Sequence, residues 1–564
     1  MDHTKSQYLK NVVKLGFISG IVILYAGVIK MLATFHEREI IDGFITLGQL
    51  VLILTPFLMA FYSAKKLKET GAPLLIVAAN GLLVGFLTAI PTIILLLFNN
   101  MNDVSNVFVN IDRDWIEVVT FDHRKELLTG IAILTLVSSV FGLIGSIFYV
   151  LPEKIRKPFI YGFTVTLTVG VFGDTVRLIL QENLDRDTLA ELFRRNTLKQ
   201  EAATVLFVLS TITGFIWTLF GDMVKAQYNS IGDQQRSNTQ RLGTLFLLGL
   251  LLILPWLIGR TLSDVAVMIG LYVLMGLGLN IAIGLAGLLD LGYVTNYAVG
   301  AYILAVLTSI GPLGIGNGIF SFWMVIPIAL LSAMLAGFIF AVPVLRMRGD
   351  YLAIATLGFG EIIGKLAVSD WLKPIIGGAQ GVQAIPKPIF FGLELKNPEE
   401  LYYIVLVACL VTLFVSIRLN NSRIGRQWMA IREDEDVATA MGIDTARAKL
   451  LAFTLSAATG GLAGAIFAAK VGTVFPTSFL VLVSITVLSL IIVGGIGSNL
   501  GIVVGAIVLV GMPELLREFS EFRFLLYGVL LIVMMINRPE GLIPSQVRSR
   551  EIGGAEKVKV GAGD

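Results

Sequence analysis

The sequence predicts an all-α, polytopic integral membrane protein with about 16 transmembrane segments. Hydrophobic residues make up 55% of the 564 residues, charged residues only 15%, and the mean hydropathy is +0.83. A soluble protein of this size has about 25% charged residues. The apolar runs are continuous and long, whereas a transmembrane barrel shows alternating segments of about ten residues. The composition therefore excludes a soluble enzyme, a disordered protein and a nucleic-acid-binding protein.

The apolar segments fall into two groups along the chain. Six lie near 15–34, 43–64, 73–98, 127–150, 159–180 and 203–222. Ten more lie near 243–259, 265–286, 289–311, 321–345, 351–369, 401–419, 450–470, 479–494, 500–513 and 524–537. Between the groups, residues 223–242 are polar and rich in glutamine. We predict a six-span region of unknown role over 1–222, a cytoplasmic linker over 223–242, a ten-span domain over 243–544 and a polar tail over 545–564.

The basic residues predict the orientation of the segments, because Lys and Arg are enriched in cytoplasmic loops. With a cytoplasmic N-terminus, the alternating inside loops carry Lys65, Lys66, Lys68, Lys154, Arg156, Lys157, Lys225, Arg236, Arg241, Arg346, Arg348, Arg423, Arg426, Arg432, Arg447 and Lys449. The outside loops are more acidic or mixed, as over 99–125. Both termini are therefore predicted to be cytoplasmic.

The sequence contains no recognisable nucleotide-binding, catalytic or metal-binding motif. It holds one cysteine, Cys409, and its three histidines lie outside the apolar segments. It contains no G-x-x-x-x-G-K-[ST] phosphate loop and no nucleophile elbow or H-E-x-x-H motif. We predict no catalytic residue, no cofactor and no metal in this chain, so any ATP hydrolysis belongs to another subunit.

Two features inside the ten-span domain point to function. A glycine-rich run, Gly276–Val294, also contains Asn280 and Asp290. Glycines permit broken helices, and polar groups beside such a break predict backbone that lines a polar cavity. Two pairs of charged residues within the apolar segments, Asp174 with Arg177 and Glu361 with Lys365, have the helical spacing of structural ion pairs.

The second feature is the predicted cytoplasmic segment 420–449. It is compatible with a helix from Arg426 to Met441 that Gly442 stops, followed by a return into the membrane. Such a compact segment suits docking to a soluble partner. An ordinary solvated loop explains the same pattern equally well.

From about residue 265 to 544 the chain resembles the permease subunit of branched-chain amino acid ABC importers, of the LivM type. The resemblance is carried by GLNIAIGLAGLLDLGYVTNYAVGAY (278–302), PVLRMRGDYLAIATLGFGEII (343–363), GRQWMAIREDEDVATAMGIDTARAKLLAFTLSAATGGLAGAIFA (425–468), VLSLIIVGGIGSNLGIVVGA (487–506) and RPEGLIP (538–544). It implies that 243–544 is a permease domain in the cytoplasmic (inner or plasma) membrane. It also implies a second permease of the LivH type, two ATP-binding subunits of the LivG and LivF type, and an extracytoplasmic substrate-binding protein.

The resemblance further implies roles for individual residues. Those matching the family's coupling loop, which contacts an ATP-binding subunit, are Glu433, Asp434, Ala438, Gly442 and Ile443. Those matching motifs near the translocation pathway or gate are Asn280, Gly284, Gly287, Tyr293, Tyr302, Thr356, Gly358, Gly360 and Glu361.

The chain departs from the family pattern in two places. The family's external Thr-Gly-Gly-x-x-Gly stretch begins here with isoleucine, at Ile376. The first 240 residues exceed the usual N-terminal part and carry no motif of the family. Transport of branched-chain amino acids is the first hypothesis. The alternatives are a secondary transporter or channel for a small polar solute, or an ABC permease for urea or short amides. A membrane-embedded enzyme is the weakest hypothesis.

Overall fold

The computed structural model describes residues 2–69, 72–101, 108–181, 184–230, 233–315, 319–344, 347, 349–515, 522–538 and 540–544. These residues are mostly helical, which confirms the predicted all-α, polytopic membrane fold. The chain divides into two compact units, Met1–Phe246 and Leu247–Asp564. The predicted tail 545–564 and the predicted loop residues Arg346 and Arg348 lie outside the described residues.

The first unit contains ten helices and four short strands among its described residues. The helices are α1 (Asp2–Val28), α2 (Met31–His36), α3 (Leu47–Glu69), α4 (Leu74–Met101), α5 (Arg113–Val119), α6 (Leu127–Val150), α7 (Glu153–Val171), α8 (Gly173–Gln181), α9 (Arg186–Leu192) and α10 (Gln200–Ser230). The strands are β1 (Glu39–Ile41), β2 (Ile45–Thr46), β3 (Phe193–Arg194) and β4 (Thr197–Leu198). They form one sheet in the order β2-β1-β4-β3, in which β1 and β4 are parallel and the other pairs antiparallel.

Small residues hold the core of the first unit together. Helix α4 packs between α1 and α6, and α6 also packs on α3. At Gly85 a Cβ atom would lie 2.1 Å from the carbonyl oxygen of Ser138, so α4 and α6 approach closely only because Gly85 has no side chain. The buried Asn80 side chain donates a hydrogen bond to Ser63 Oγ at 3.0 Å, which joins α4 to α3.

The fifth predicted segment is a bent pair of helices. Helices α7 and α8 meet at an angle of 78°. The bend places Arg177 beside the β3–β4 turn, where its guanidinium donates to the carbonyl oxygen of Arg195 and to Asn196 Oδ1. The pairing of Arg177 with Asp174 that the sequence predicted is therefore not formed among the described residues.

The second unit is built around the alanine- and glycine-rich helix α19. In chain order the elements are α11 (Asp233–Asn280, which begins in the first unit), a π-helical turn (Ile281–Leu285), α12 (Val294–Thr308), α13 (Phe322–Val344), α14 (Asp350–Val368), α15 (Lys373–Ile376), a 3-10 turn (Gly378–Gln380), β5 (Ile389–Phe390), β6 (Leu393–Glu394), α16 (Pro398–Asn420), α17 (Arg423–Glu433), α18 (Glu435–Ala440), α19 (Thr445–Val471), a 3-10 turn (Pro476–Phe479), α20 (Val481–Gly494), α21 (Asn499–Ala506), a π-helical turn (Ile507–Gly511), α22 (Met512–Leu515) and α23 (Arg523–Asn537). Helix α19 packs on both α12 and α13. Its Gly464 lies against the backbone of Tyr297, where a Cβ atom would come within 1.9 Å of the carbonyl oxygen.

Eleven helices in the described residues are long and apolar enough to cross a membrane, or twelve when the bent pair α7–α8 counts as one span. The long span Leu242–Leu285 covers two predicted segments, because the helix bends at Gly259, which has φ 73°. Three further predicted segments correspond to shorter apolar helices: Val294–Thr308, Asn499–Glu514 and Arg523–Asn537. The count of about 16 spans and the cytoplasmic placement of both termini stay predictions.

The predicted linker is helical where its backbone is described. Helix α10 continues to Ser230, and α11 begins at Asp233. The division between the two compact units falls after Phe246, a few residues beyond the end of the predicted linker. The roles assigned to the domains stay predictions.

Candidate functional site

The segment between α16 and α19 forms two short helices rather than the single predicted one. Helix α17 ends at Glu433 and α18 begins at Glu435. Between them Asp434 is extended, with φ −157°, and its carboxylate accepts hydrogen bonds from the backbone N–H groups of Asp436 (2.9 Å) and Val437 (3.0 Å). Aspartate is a preferred N-cap residue for this reason. The predicted continuous helix from Arg426 to Met441 is thus wrong, because Asp434 caps a new helix.

Helix α18 ends at Ala440, and Gly442 stops it, as the sequence predicted. Gly442 has φ +85°, its N–H donates to Thr439, and the N–H of Ile443 donates to Ala438. These two bonds define a Schellman motif, which favours glycine at the left-handed position. Ala438 is buried, and Ile443 packs against the same small core. Residues 433–443 therefore form a compact projection, called the knob below.

The outer surface of the knob is partly apolar. The side chains of Val437 and Met441 are 58% and 78% exposed, and the Glu433 side chain is 65% exposed. These exposed apolar side chains are available for contact with a partner.

Two buried contacts anchor the knob to α19. Trp428, fully buried on α17, donates from its indole N–H to the carbonyl oxygen of Ala448 at 2.7 Å. Lys449, whose side chain is 4% exposed, forms an ion pair with Glu435 at the start of α18. Both helices of the segment are therefore fixed to the first turns of a helix at the centre of the second unit.

A third contact joins the same segment to the end of α11. Arg432 Nη1 donates to the carbonyl oxygen of Gly284 at 2.8 Å, within the π-helical turn. Gly287 follows with φ +70°, and a Cβ atom there would lie 2.7 Å from Arg432 Cγ. Single π-helical turns are frequent at functional sites. Two predicted pathway residues, Gly284 and Gly287, thus contact the residue that precedes the knob.

The remaining predicted pathway residues do not form one site. Asn280 is buried, and its Oδ1 accepts from the backbone N–H of Gly497 at 3.0 Å. Its Nδ2 lies 3.5 Å from Oδ1 of Asn499, which also accepts from Ser416 Oγ at 3.1 Å. Asn280 therefore joins α11 to α16 and to the turn before α21.

The predicted aromatic residues face different neighbours. The hydroxyl of Tyr293 lies 3.1 Å from Thr459 Oγ1 on α19. The ring of Tyr302 packs against Phe479, with centroids 5.5 Å apart, and its buried hydroxyl has no hydrogen-bond partner in the described part of the chain. These two tyrosines pack α12 against α19 and the 3-10 turn before α20.

The predicted pathway residues of α14 also have different surroundings. Thr356 accepts a hydrogen bond from the N–H of Leu291 at 3.0 Å, and Gly360 lies near Gly292. At Gly358 no atom of the described part of the chain lies within 4 Å of an added Cβ. Glu361 is exposed and forms no ion pair with Lys365 among the described residues, contrary to the predicted pairing.

A small cavity with mostly apolar walls and a few polar groups lies beside these residues, between α12, α13, α14 and α19. Its volume is about 20 Å³. The lining includes Asp290, Thr295, Asn296, Thr356, Phe340 and Phe359. Asp290 lines this cavity and Asn280 does not. The predicted polar cavity beside the glycine-rich break stays a prediction. Thr295 and Asn296 were missed, although two adjacent polar residues within an apolar run are a usable signal.

In the described parts of the chain, no group of three or more His, Cys, Asp and Glu side chains is arranged to hold a metal ion.

Comparison with known proteins gives a consistent result. Residues 261–536 match the family described as branched-chain amino acid transport system / permease component. The chain is 42% identical over 326 residues to the high-affinity branched-chain amino acid transport system permease protein LivM of Escherichia coli K12, a match that covers 53% of this chain and 75% of that protein. It is 25% identical over 325 residues to the probable branched-chain amino acid transport permease protein LivM of Methanocaldococcus jannaschii (50% and 93%). It is 23% identical over 292 residues to the permease protein LivH of Escherichia coli K12 (48% and 91%). No solved structure matches the chain significantly.

Proposed function

The chain belongs to the family of branched-chain amino acid transport system permease components, and we propose that it is the membrane-spanning permease subunit of an ATP-driven importer of branched-chain amino acids. It is a multi-pass membrane protein of a transport family, and its relatives LivM and LivH are permease components of branched-chain amino acid transport systems. Membership of that family implies partner subunits.

The contact between Arg432 and Gly284 is the observation that supports coupled transport best. The knob exposes Val437, Met441 and Glu433, and it is anchored to α19 by Trp428 and Lys449. A rigid projection of this kind transmits a push from a docked subunit instead of absorbing it. Arg432 carries the displacement to the π-helical turn that ends α11. The contacts therefore favour a lever between a soluble partner and a broken membrane helix.

The partners are proposed in more detail. The knob docks on one of two ATP-binding subunits, of the LivG and LivF type, because this chain contains no phosphate loop of its own. A second permease, of the LivH type, pairs with it in the cytoplasmic membrane, and an extracytoplasmic binding protein delivers the substrate. Within the knob we assign the docking contacts to Glu433, with the exposed Val437 and Met441. Of the other coupling-loop residues, Asp434 and Gly442 cap α18, and Ala438 and Ile443 pack beneath it, so we assign them to the shape of the knob.

The predicted gate residues divide into two proposed roles. Asn280, Gly284 and Gly287 form the moving end of α11, since they contact the turn before α21 and Arg432. Of the group at α12 and α14, we assign Tyr293, Tyr302, Thr356 and Gly360 to packing around the pathway. We assign Gly358 and the exposed Glu361 to the surface of α14 that faces the pathway or gate.

The test is substrate-stimulated ATP hydrolysis and uptake by the complete complex in liposomes, with leucine, isoleucine, valine, urea and acetamide. We expect stimulation and uptake with the three amino acids, and loss of both when the catalytic lysine of the ATP-binding subunits is replaced. Stimulation of ATP hydrolysis by urea or acetamide alone would indicate that the substrate is urea or a short amide. Uptake driven by an ion gradient, without the ATP-binding subunits, would instead indicate a secondary transporter.

A further inference from the structure

The small cavity between α12, α13, α14 and α19 contains the buried carboxylate of Asp290. Asp290 is 4% exposed, and one carboxylate oxygen accepts a hydrogen bond from the N–H of Gly292 at 2.9 Å. Two cations at the same end of the unit, Arg432 and Lys449, pair instead with Glu433 and Glu435. Among the described side chains none forms an ion pair with Asp290. An isolated carboxylate in an apolar bundle is costly unless a cation or a proton accompanies it.

Two further groups lining this cavity have no hydrogen-bond partner. Thr295 Oγ1 and Asn296 Oδ1 are buried and unpaired within the described residues, and the two side chains are 3% and 6% exposed. Thr356 Oγ1, by contrast, already accepts from Leu291 and donates to Ala353. Buried polar atoms are nearly always satisfied, so an unpaired set around one cavity indicates an occupant.

The chemistry of the lining selects the class of occupant. The available groups are a carboxylate, an amide oxygen and a hydroxyl, all of which accept hydrogen bonds or coordinate a hard cation. The walls add the aromatic rings of Phe340 and Phe359, whose centroids lie 5.6 Å apart, and the ring of Phe453. Aromatic faces attract cations and repel anions. A volume of about 20 Å³ admits one group of the size of water or ammonium.

We infer that Asp290, Thr295 and Asn296 form a subsite for a compact monovalent cation. The cation is either a free ion, such as ammonium, sodium or potassium, or the α-ammonium group of the transported amino acid. The second source rests on the proposed function, whereas the first does not. In both cases Asp290 supplies the charge, and the two neutral oxygens fix the position of the occupant.

The test measures thermal stabilisation of the complete complex in nanodiscs. One series titrates ammonium, sodium or potassium chloride against choline chloride at constant ionic strength. A second series titrates L-leucine, isopentylamine (which lacks the carboxylate) and 4-methylpentanoate (which lacks the ammonium group). A free-ion site responds to the first series. A substrate site responds to leucine and isopentylamine but not to 4-methylpentanoate.

Two variants localise the response. Asp290→Asn keeps the size of the side chain and removes its charge, and we expect at least about a tenfold loss of affinity for the active probe. Thr295→Val keeps the shape and removes the hydroxyl. Without an occupant, this change leaves probe affinity unchanged and holds or raises stability, because an unpaired buried hydroxyl is removed. With an occupant, affinity falls. Asp187→Asn, at an exposed position of α9, is the matched control.

The inference is overturned if no probe stabilises the wild-type complex, or if Asp290→Asn and Thr295→Val both retain wild-type affinity. Should Asp290→Asn fail to fold, Thr295→Val decides alone. Leucine uptake is measured on the same preparations. Absence of wild-type uptake contradicts the proposed function, whereas uptake with unaltered binding in both variants contradicts only the cation subsite.

Discussion

Arg432 Nη1 donates a hydrogen bond to the carbonyl oxygen of Gly284 at 2.8 Å, which joins the last turn of α17 to the π-helical turn at the end of α11. Arg432 Nη2 lies 3.0 Å from a carboxylate oxygen of Glu433, the first residue of the knob. One guanidinium thus contacts both the knob and a membrane helix. Because arginine stays charged in proteins and offers five donors, it can hold both contacts at once.

The first prediction concerns this bridge. Arg432→Met keeps most of the apolar stem and removes every donor. We expect normal membrane insertion and retained ATP hydrolysis in the complex, with uptake per ATP reduced at least about tenfold, since a hydrogen bond to a charged group contributes about 1.5–3 kcal/mol. Uptake and hydrolysis are measured together in liposomes. Arg426→Met, an exposed position on the same helix, should behave as wild type. An unchanged ratio of uptake to ATP hydrolysis in Arg432→Met would show that this contact does not couple the two.

A second prediction separates backbone strain from steric collision at two glycines. Gly287 and Gly442 both have positive φ, 70° and 85°. A side chain at Gly287 would meet Arg432, whereas at Gly442 no atom of the described residues lies within 4 Å of an added Cβ. Alanine at either position costs about 1–2 kcal/mol of strain. Only Gly287→Ala adds the collision, so we expect it to lower the melting temperature further and to reduce uptake. Equal melting temperatures for the two variants would contradict this.

Charge reversal on the knob gives a third prediction. The Glu433 side chain is 65% exposed. Glu433→Lys should weaken binding of the ATP-binding subunits, and the loss should shrink at high salt because screening reduces repulsion between exposed charges. Pull-down of these subunits at low and high salt measures it. Glu433→Gln, which removes the charge without reversing it, should give a smaller loss. Full retention of the subunits by Glu433→Lys at low salt would show that the knob is a solvated connector.

The knob illustrates which parts of this site the sequence could predict. Gly442 was predictable because a glycine after a helix-compatible run takes the left-handed conformation at little cost. The break at Asp434 was also within reach, since aspartate is a preferred N-cap. It was missed because four consecutive residues, Glu433 to Asp436, are acidic. The sequence alone does not show which of their carboxylates accepts hydrogen bonds from the backbone.

The pathway residues show where sequence information ends. Asn280 and Asp290 are ten positions apart in a run without helical periodicity between them. The direction of the chain beyond Leu285 is set by the contact with Arg432, which lies far away in sequence. Whether either residue faces a cavity therefore depends on tertiary packing. For the same reason Arg177 binds the β3–β4 turn instead of its helical neighbour Asp174.

The independence of the N-terminal region is the fourth prediction. Residues up to Phe246 form one of two compact units. Deleting 1–240 should leave the orientation of the permease domain unchanged if the removed spans are even in number, as the predicted six are. A cysteine introduced into the 370–399 loop, with Cys409 replaced, should stay accessible to an impermeant thiol reagent from outside the cell. Labelling only after permeabilisation would contradict the division into six and ten spans.

The final prediction tests how firmly the knob is anchored. Lys449 and Glu435 form an ion pair in which the side chains are 4% and 22% exposed. Lys449→Met leaves Glu435 without this partner in a largely buried position, and removal of one member of a buried pair costs about 3–5 kcal/mol. We expect the lower part of that range, because Glu435 keeps some contact with solvent. The double variant Lys449→Met, Glu435→Gln should recover most of the loss, since it also removes the carboxylate charge that Lys449 balances. Arg447 and Asp444 supply the matched exposed pair at the start of the same helix, 89% and 53% exposed, and Arg447→Met should cost less than about 1 kcal/mol. Melting temperatures in nanodiscs rank the stabilities of the variants. Pull-down of the ATP-binding subunits measures the effect of each variant on docking. A Lys449→Met variant as stable as Arg447→Met would mean that Trp428, rather than the ion pair, holds the knob to α19.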